Sequence, residues 1–362
     1  MLITDKTALR DYGAPQRLWQ GIPGIEITKK GRIFVTFYSG GTKEEIGNYC
    51  VIIKSDDSLN FSEPILVCKK DEHRCFDPCL WIDPLDRLWF TWSEMPGHSL
   101  WGAICDNPDA DDLIWSEPFL IGHDVMMNKP TVLSTGEWLF PVAVWNKGVI
   151  VWQETTETER GSFAYKTADC GKTFEILGRA EVKDRSYDEH MIYERQDGSL
   201  AMLVRTTYGI GVSYSYDKGK TWTEGVDSLY GGPNSRFHIR RLKSGRLLLI
   251  NHVNFTGRNN LTALLSEDDG KTWKYSLLID GRDNVSYPDM AEKDGYLYIV
   301  YDRERGGFKN SLKEVYSSAR EILIAKITED DIIAGKIVSP ESKLGIVASK
   351  LGEYAPCDPF AE

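Results

Sequence analysis

Short runs of alternating apolar and polar residues, each following a turn, recur six times along the chain: KKGRIFVTFYS, PLDRLWFTWS, STGEWLFPVAV, QDGSLAMLVRT, KSGRLLLINHV and KDGYLYIVYDR. The two-residue period predicts strands. The turn residues Gly31, Asp86, Gly136, Gly198, Gly245 and Gly295 are separated by 55, 50, 62, 47 and 50 positions, which marks a repeated unit. Each turn is preceded by a second short apolar segment (IPGIEIT, DPCLWID, KPTVLS, EHMIYER, RFHIRRL, YPDMAEK), so each unit opens with a hairpin. A third strand follows in each: NYCVIIKS, LWGAICD, SFAYKTAD, GVSYSYD, LTALLSED and EILIAKIT.

Three of these third strands run into the pattern S/T-x-D-x-G-x-T-aromatic, at Thr167 to Phe174, Ser215 to Trp222 and Ser266 to Trp273, with a shortened copy at Ser55 to Phe61. The Asp carboxylate can accept backbone N–H bonds, the Gly permits a left-handed position, and the aromatic pins the turn between sheets. The aromatics Phe61, Trp115, Phe174, Trp222 and Trp273 keep the same spacing as the hairpins, at 54, 59, 48 and 51. Helical patterns are few, the best being Ser311 to Arg320 and Glu329 to Gly335. Six units of three or four antiparallel strands predict an all-β, six-bladed β-propeller. We read residues 1–362 as a single such domain, its N-terminal residues pairing with the C-terminal unit to close the ring.

Composition narrows the function. With 41% hydrophobic and 27% charged residues, the chain can bury a core, which excludes disordered and low-complexity classes. A net charge of −11 repels nucleic acid and anionic membrane, so neither is an expected partner. Met1 to Pro15 has no basic start followed by an apolar run, and no stretch approaches the ~18 apolar residues of a membrane span. Seven scattered cysteines, Cys357 among them, suit reduced thiols; the expected location is cytoplasmic. Cys75 and Cys79 lack a second Cys/His pair at zinc spacing, and the six histidines are dispersed, so no metal is expected. No Gly-x-Gly-x-x-Gly opening a helix, Walker sequence or nucleophile-elbow serine is present, and no cofactor is implied.

Register turns the repeat into a candidate site. In a propeller the innermost strand starts at one rim of the central channel and the second strand ends at that rim. The inner strands start at Ile22/Pro23, Asp77, Lys129, Glu189, Arg236 and Tyr287; the second strands end at Tyr38, Ser93, Ala143, Arg205, His252 and Asp302. Apolar interiors finishing in polar tips at one rim point either to a ring of inter-blade salt bridges or to a concave site of carboxylates, arginines and a tyrosine.

At these residues the chain resembles the sialidase superfamily of Asp-box propellers over nearly its full length. EHMIYERQDGSLAMLVR matches a glutamate preceding a hairpin that ends in arginine, which implies roles for Glu189 and Arg205. GRNNLTALLSEDDGKTW implies a second clamp arginine at Arg258, and SYPDMAEKDGYLYIVYD implies a nucleophile at Tyr287. In the family, arginines grip the sugar carboxylate while a tyrosine, activated by a glutamate, attacks the anomeric carbon beside it. The arginine that usually precedes Ile-Pro in the first inner strand is Gly21 here, in QGIPGIE, with Arg17 or Arg236 as possible substitutes. The acid/base aspartate expected after the first hairpin is also missing: SGGTKEEIGNY offers Glu44 and Glu45, in competition with Asp77.

Candidate catalytic residues are therefore Tyr287, Glu189, Asp77, Glu44 and Glu45. Candidate substrate contacts are Arg205, Arg258, Arg236, Lys129, His190, His252 and Asp302. Structural pairing is the competing account for each. The leading expectation is a sialidase-like exo-glycosidase acting on a terminal anionic sugar of an oligosaccharide. The alternatives are a propeller that binds carbohydrate without turnover and a uronic-acid lyase using Tyr287 or a histidine as base.

Overall fold

A computed structural model describes residues 1–41, 43–123, 125–145, 160–305 and 320–351. The described strands form six antiparallel sheets arranged as a six-bladed β-propeller. From inner to outer edge, blade 1 is Trp19–Ile27, Ile33–Gly40, Tyr49–Ser55 and Leu66–Cys68, and blade 2 is Arg74–Ile82, Leu88–Met95, Ser99–Cys105 and Phe119–His123. Blade 3 is Thr131–Val132, Trp138–Val144, Gly161–Thr167 and Glu175–Ala180; blade 4 is Arg185–Glu194, Leu200–Thr206, Gly209–Ser215 and Val226–Asp227. Blade 5 is His238–Arg241, Leu247–His252, Leu261–Ser266 and Tyr275–Asp280; blade 6 is Val285–Lys293, Tyr296–Arg303, Glu321–Thr328 and Lys343–Lys350. All six turn residues read from the sequence are left-handed, with φ from 63° at Asp86 to 97° at Gly136.

Among the described residues, the N-terminal strand does not pair with the C-terminal unit. Leu2–Ile3 pairs with Leu66–Cys68 at the outer edge of blade 1, and the outer strand of blade 6 comes from the chain that follows its own third strand. Blades 1 and 6 are instead joined by hydrogen bonds. Gln20 Nε2 donates to the Arg320 and Ser349 carbonyls at 2.7 and 3.2 Å, and the Ile22 N–H donates to Asp302 Oδ2 at 2.7 Å. A short helix, Glu329–Ala334, stands where the pattern placed it, capped by Thr328 and ended by left-handed Gly335. The expected helix over Ser311–Arg320 lies, apart from its last residue, outside the described residues, as does Cys357.

Four inner strands share one irregularity. Two residues face a single partner residue at Ile22-Pro23, Asp77-Pro78, Glu189-His190 and Tyr287-Pro288, and the first of each pair is left-handed, with φ of 58°, 49°, 40° and 57°. These are β-bulges, which redirect a side chain and bend the strand. Proline suits three of them because a bulge leaves a backbone position without a ladder bond. Lys129 and Arg236 start the other two inner strands without a left-handed residue, and their side chains run down the channel.

There they build a polar hub that touches every blade. Lys129 Nζ donates to the carbonyls of Ile25 and Leu80 and lies 2.9 Å from Glu26 Oε1 and 3.2 Å from Asp289 Oδ2. Asp289 Oδ2 also accepts the Ile25 N–H, and Oδ1 lies 3.2 Å from His238 Nδ1. Arg236 donates to Asn128 Oδ1, Pro23 O and Met127 O at 2.7, 3.1 and 3.2 Å; Asn128 in turn donates to the carbonyls of Glu189 and His190. Burial alone would raise the Asp289 carboxyl, but Lys129, His238 and Arg236 hold it far below the usual carboxylate range.

Between blades 2 and 3 the contacts are aromatic, whereas blades 3 and 4 meet through aliphatic side chains such as Leu139, Ile192 and Met202. Trp81 and Trp138 meet edge-on at 4.9 Å, and Trp89 lies 5.9 Å from Phe140. The Asp-box turns clamp the outside of this packing: Asp169 Oδ1 accepts the Lys172 and Thr173 N–H groups while Oδ2 accepts the Thr173 hydroxyl. Asp217 and Asp268 repeat this with Thr221 and Thr272. In blade 3 the turn glycine, Gly171 (φ 85°), rests directly on Trp89 of blade 2, where a Cβ would overlap the indole ring.

Gly171→Ala therefore combines a left-handed L-residue with overpacking and should cost at least about 2 kcal/mol. Gly31→Ala, with φ 92° but nothing within 4 Å of the added Cβ, should cost only about 1 kcal/mol. Urea unfolding of the two variants checks the difference, and equal losses would mean that the Trp89 contact is not tight.

Candidate active site

The bulges of blades 4 and 6 bring Glu189 and Tyr287 together at the channel rim. The Tyr287 hydroxyl donates to Glu189 Oε1 at 2.7 Å, and Arg205 Nη1 donates to the same Oε1 at 2.6 Å and to the Tyr287 oxygen at 2.9 Å. The Arg205 and Glu189 side chains are each 4% exposed. Among the described residues Glu189 Oε2 is buried without a partner. Burial and the Glu189 charge push the Tyr287 phenol up to about 12 against the opposing pull of Arg205, Arg258 and Arg305, so it is neutral at rest.

Arg258 reaches the same tyrosine from the loop between the second and third strands of blade 5, its guanidinium 5.4 Å from the ring centroid. His252 Nδ1 pairs with the Asn259 carbonyl at 2.7 Å and the Val285 N–H donates to the Arg258 carbonyl at 3.1 Å, which fixes that loop. Arg258 Nη2 donates to the Asn234 carbonyl at 3.3 Å; among the described residues Arg258 has no carboxylate partner. Asn234 also accepts from Arg205, through Oδ1 at 2.6 Å and through its carbonyl at 3.1 Å, so one residue aligns both arginines.

The three candidate acids separate clearly. Asp77 is 4% exposed and shares a small cavity with Glu189, Met126, Met127 and Asn128. Burial, aided by the charges of Glu189 and Glu44 and opposed by Arg74 and Arg236, raises its carboxyl to about 8. Glu44, with a 36% exposed side chain, accepts from Arg74 Nη2 at 2.8 Å and lies 3.5 Å from Arg305 Nη1; against partial desolvation these cations hold its carboxyl below the usual range. Glu45 lies 3.7 Å from Lys43, and no contact among the described residues brings it to the tyrosine.

Lys129 and Arg236 belong to the hub, where they bind blade to blade, and neither contacts the Tyr287 cluster. His190 Nε2 pairs with the Phe163 carbonyl at 2.8 Å, and burial lowers both His190 and His252 to about 4, so both are neutral braces. Asp302 is fully buried and accepts from Ile22 N–H, Ser286 Oγ and Arg305 Nε, each at 2.7 Å. Of the two proposed substitutes for the missing arginine, Arg17 points to Ser349 Oγ and the Phe37 ring, and Arg236 is held in the hub. A larger cleft of about 420 Å³ opens at the other mouth of the channel, lined in part by Glu194, Arg195, Arg240 and Arg241; Tyr287 and Arg205 are not in its wall.

Three residues of the cluster escaped the sequence reading. Arg305 places its guanidinium 4.0 Å from the Tyr287 ring centroid, and Arg74 donates to the Tyr38 hydroxyl at 2.7 Å as well as to Glu44. Asn234 is the third. Arg74 and Arg305 each stand three residues outside the register positions Asp77 and Asp302, and Asn234 lies between blades where no strand pattern applies. Arg205 with Glu189, Arg305 with Asp302, and Arg74 with Glu44 form three charge pairs. With Asp77 protonated near neutrality, Arg258 leaves the cluster one positive charge in excess.

A family model described as a BNR repeat-like domain matches residues 31–299. Among curated proteins, none matches the sequence. The fold is similar to that of a leech intramolecular trans-sialidase complexed with 2,7-anhydro-Neu5Ac, with a TM-score of 0.68 at 15% identity over 90% of this chain and 70% of that one. It is also similar to the intramolecular trans-sialidase of Ruminococcus gnavus (TM-score 0.66, 14% identity, 91% of this chain and 98% of that one). For a Hadza microbial sialidase the values are 0.65 and 19%, over 80% of this chain and 64% of that one.

The charge pattern makes opposite demands on two arginines. Arg205→Ala strands the buried Glu189 carboxylate and should cost about 3–5 kcal/mol of stability. Arg258→Ala removes a cation that faces other cations and should leave the melting temperature unchanged or higher, as expected of a group kept for binding. Thermal unfolding of both variants without ligand is the check; a large loss for Arg258→Ala would make that arginine structural.

Proposed function

The chain belongs to the BNR repeat-like domain family, and from that premise we propose that it is a glycoside hydrolase that cleaves a terminal sugar bearing one carboxylate. The observation that carries this reading is the Tyr287 hydroxyl donating to Glu189 beside Arg205, in a pocket with a single uncompensated guanidinium. Glu189 takes the phenolic proton as the Tyr287 oxygen bonds to the anomeric carbon, and the glycosidic oxygen leaves with a proton from Asp77. Asp77 then takes a proton from water, whose oxygen attacks the same carbon; Tyr287 departs and recovers its proton from Glu189. Arg258 holds the sugar carboxylate through paired N–H donors, and Arg205 adds the one N–H left on its Nη2. A neutral phenol suits this substrate, because a carboxylate nucleophile would be repelled by the sugar's own charge.

Asp77 is the better acid on electrostatic grounds. A group that must give up a proton near neutrality needs a pKa near that pH, and burial supplies this at Asp77 while Arg74 denies it to Glu44. The reading therefore rests on a buried second-blade aspartate where the family resemblance implied a residue of the first hairpin loop.

A panel of aryl glycosides of sialic acid, related keto-acid sugars, uronic acids and neutral sugars tests the activity. Hydrolysis of an acidic member to a saturated reducing sugar is expected. An unsaturated product absorbing in the near ultraviolet would identify a lyase, and binding without product a carbohydrate-binding propeller. Tyr287→Phe should lower kcat by at least about a hundredfold with binding nearly kept; undiminished turnover would remove Tyr287 as nucleophile. Because Asp77 acts as an acid only while protonated, kcat/KM should fall as pH rises through about 8, and Asp77→Asn should lower activity and abolish that limb. A pH profile unaltered by the substitution would assign the proton to another group.

A further inference from the structure

Gly21 stands in the inner strand of blade 1, and the space above it is filled from blade 6. A Cβ built on Gly21 would lie 2.6 Å from both Cγ and Cδ of Arg305 and 2.9 Å from its Nε, closer than any side chain tolerates. The two positions are mutually exclusive: a side chain at 21 and the observed path of Arg305 cannot coexist.

The path is built rather than incidental. Arg305 follows the second strand of blade 6, and its carbonyl accepts the Gln20 N–H at 3.1 Å, which ties its backbone to blade 1. Its Nε donates to Asp302 Oδ2 at 2.7 Å and its Nη2 to Ser286 Oγ at 3.0 Å, while Nη1 lies 3.5 Å from Glu44 Oε1. These anchors hold the guanidinium plane 4.0 Å from the Tyr287 ring centroid and leave terminal N–H donors uncommitted. Arg205, Arg258 and Arg305 thus reach Tyr287 from blades 4, 5 and 6.

We propose that Arg305 is a substrate-binding residue of this site, a third guanidinium that grips the sugar carboxylate, and that Gly21 is a specificity-determining position because its lack of a side chain admits Arg305. This rests on the reading of the protein as acting on a sugar with one carboxylate, and it extends that reading by naming a residue and an approach direction. The carboxylate is then held from the blade 6 side of the pocket. The blade 1 side presents the backbone of Gly21, with Glu44, paired to Arg74, behind Arg305.

The test uses the full chain and calorimetric titration with N-acetylneuraminic acid and with glucuronic acid, each alongside its uncharged methyl ester. Arg305→Ala should weaken binding of the acid recognised by the wild type roughly ten- to hundredfold, the range for a charge-assisted pair. Affinity for the matching ester should stay within about threefold. Gly21→Ala, which keeps the charge but displaces the side chain, should weaken the acid about tenfold or more, and Arg305→Lys should fall between wild type and Arg305→Ala. A loss shared equally by acid and ester would mean that Arg305 only shapes the pocket and would overturn the proposal. So would wild-type affinity in both Arg305→Ala and Gly21→Ala while Arg205→Ala fails to bind, an outcome that leaves the acidic-sugar reading intact. Wild-type protein that binds neither acid overturns both.

Discussion

The pairing of Asp289 with Lys129, Arg236 and His238 at the propeller axis is the interaction on which the site depends. A propeller's inner strands have no hydrogen-bonded neighbour on the channel side, so their starts are free to shift relative to one another. Here Lys129 ties blade 3 to the carbonyls of Ile25 and Leu80 on blades 1 and 2, and Arg236 ties blade 5 to Pro23 on blade 1. Asp289 lies two residues beyond Tyr287 on the same strand. Asn128, oriented by Arg236, holds the backbone carbonyl of Glu189. The 2.7 Å contact between Tyr287 and Glu189, on blades that are not sequential, is therefore set by a charge cluster one layer below it. Buried ion pairs contribute little net stability, and their attested use is to select one arrangement among several.

Local fastenings at the rim make the backbone strain tolerable. Left-handed conformations are costly for residues other than glycine, and most of all for a β-branched residue such as Ile22. Tyr187, Asp188 and Glu189 adopt them in succession, with φ of 58°, 56° and 40°. Asp188 is fastened by Arg185 and by the Ser162 hydroxyl, Glu189 by Arg205, and the Tyr187 carbonyl by the Trp145 indole. Strain of this kind persists only where surroundings over-determine it, and here it turns a carboxylate out of the ladder and toward the phenol.

Strand register carried most of this into the sequence. Counting from six turn residues places Glu189, Arg205, Asp77 and Tyr287 at one rim because the side-chain period of a strand is fixed and the hairpins are short. The same count grouped Lys129 and Arg236 with them, and register could not separate the two sets. What does is the sign of φ at the bulge, which sends one set across the rim and leaves the other pointing down the channel. Arg305, Arg74 and Asn234 lie off the register, so only the folded chain shows that they converge. The choice among Asp77, Glu44 and Glu45 turned on burial and on the neighbouring Arg74, neither of which a spacing conveys. The strand pattern did not convey how the ring closes: among the described residues Gln20, Ile22 and Asp302 join blades 1 and 6 by hydrogen bonds rather than by strand pairing.

The charge arrangement around Tyr287 also determines why Glu189 must touch it. Three guanidiniums favour the phenolate, yet burial and Glu189 outweigh them and the phenol stays protonated. A bound sugar carboxylate would cancel the excess positive charge that Arg258 leaves in the cluster, which makes spontaneous ionisation of the phenol harder still. In the proposed reaction, proton loss would then have to be coupled to bond formation, through a base already within hydrogen-bond reach. Arg205 serves both ends of that transfer, since the one Nη1 lies 2.6 Å from Glu189 Oε1 and 2.9 Å from the tyrosine oxygen. Were the proton to move as proposed, negative charge would pass from one of these oxygens to the other without leaving the same donor, and the guanidinium would need no reorganisation to follow it.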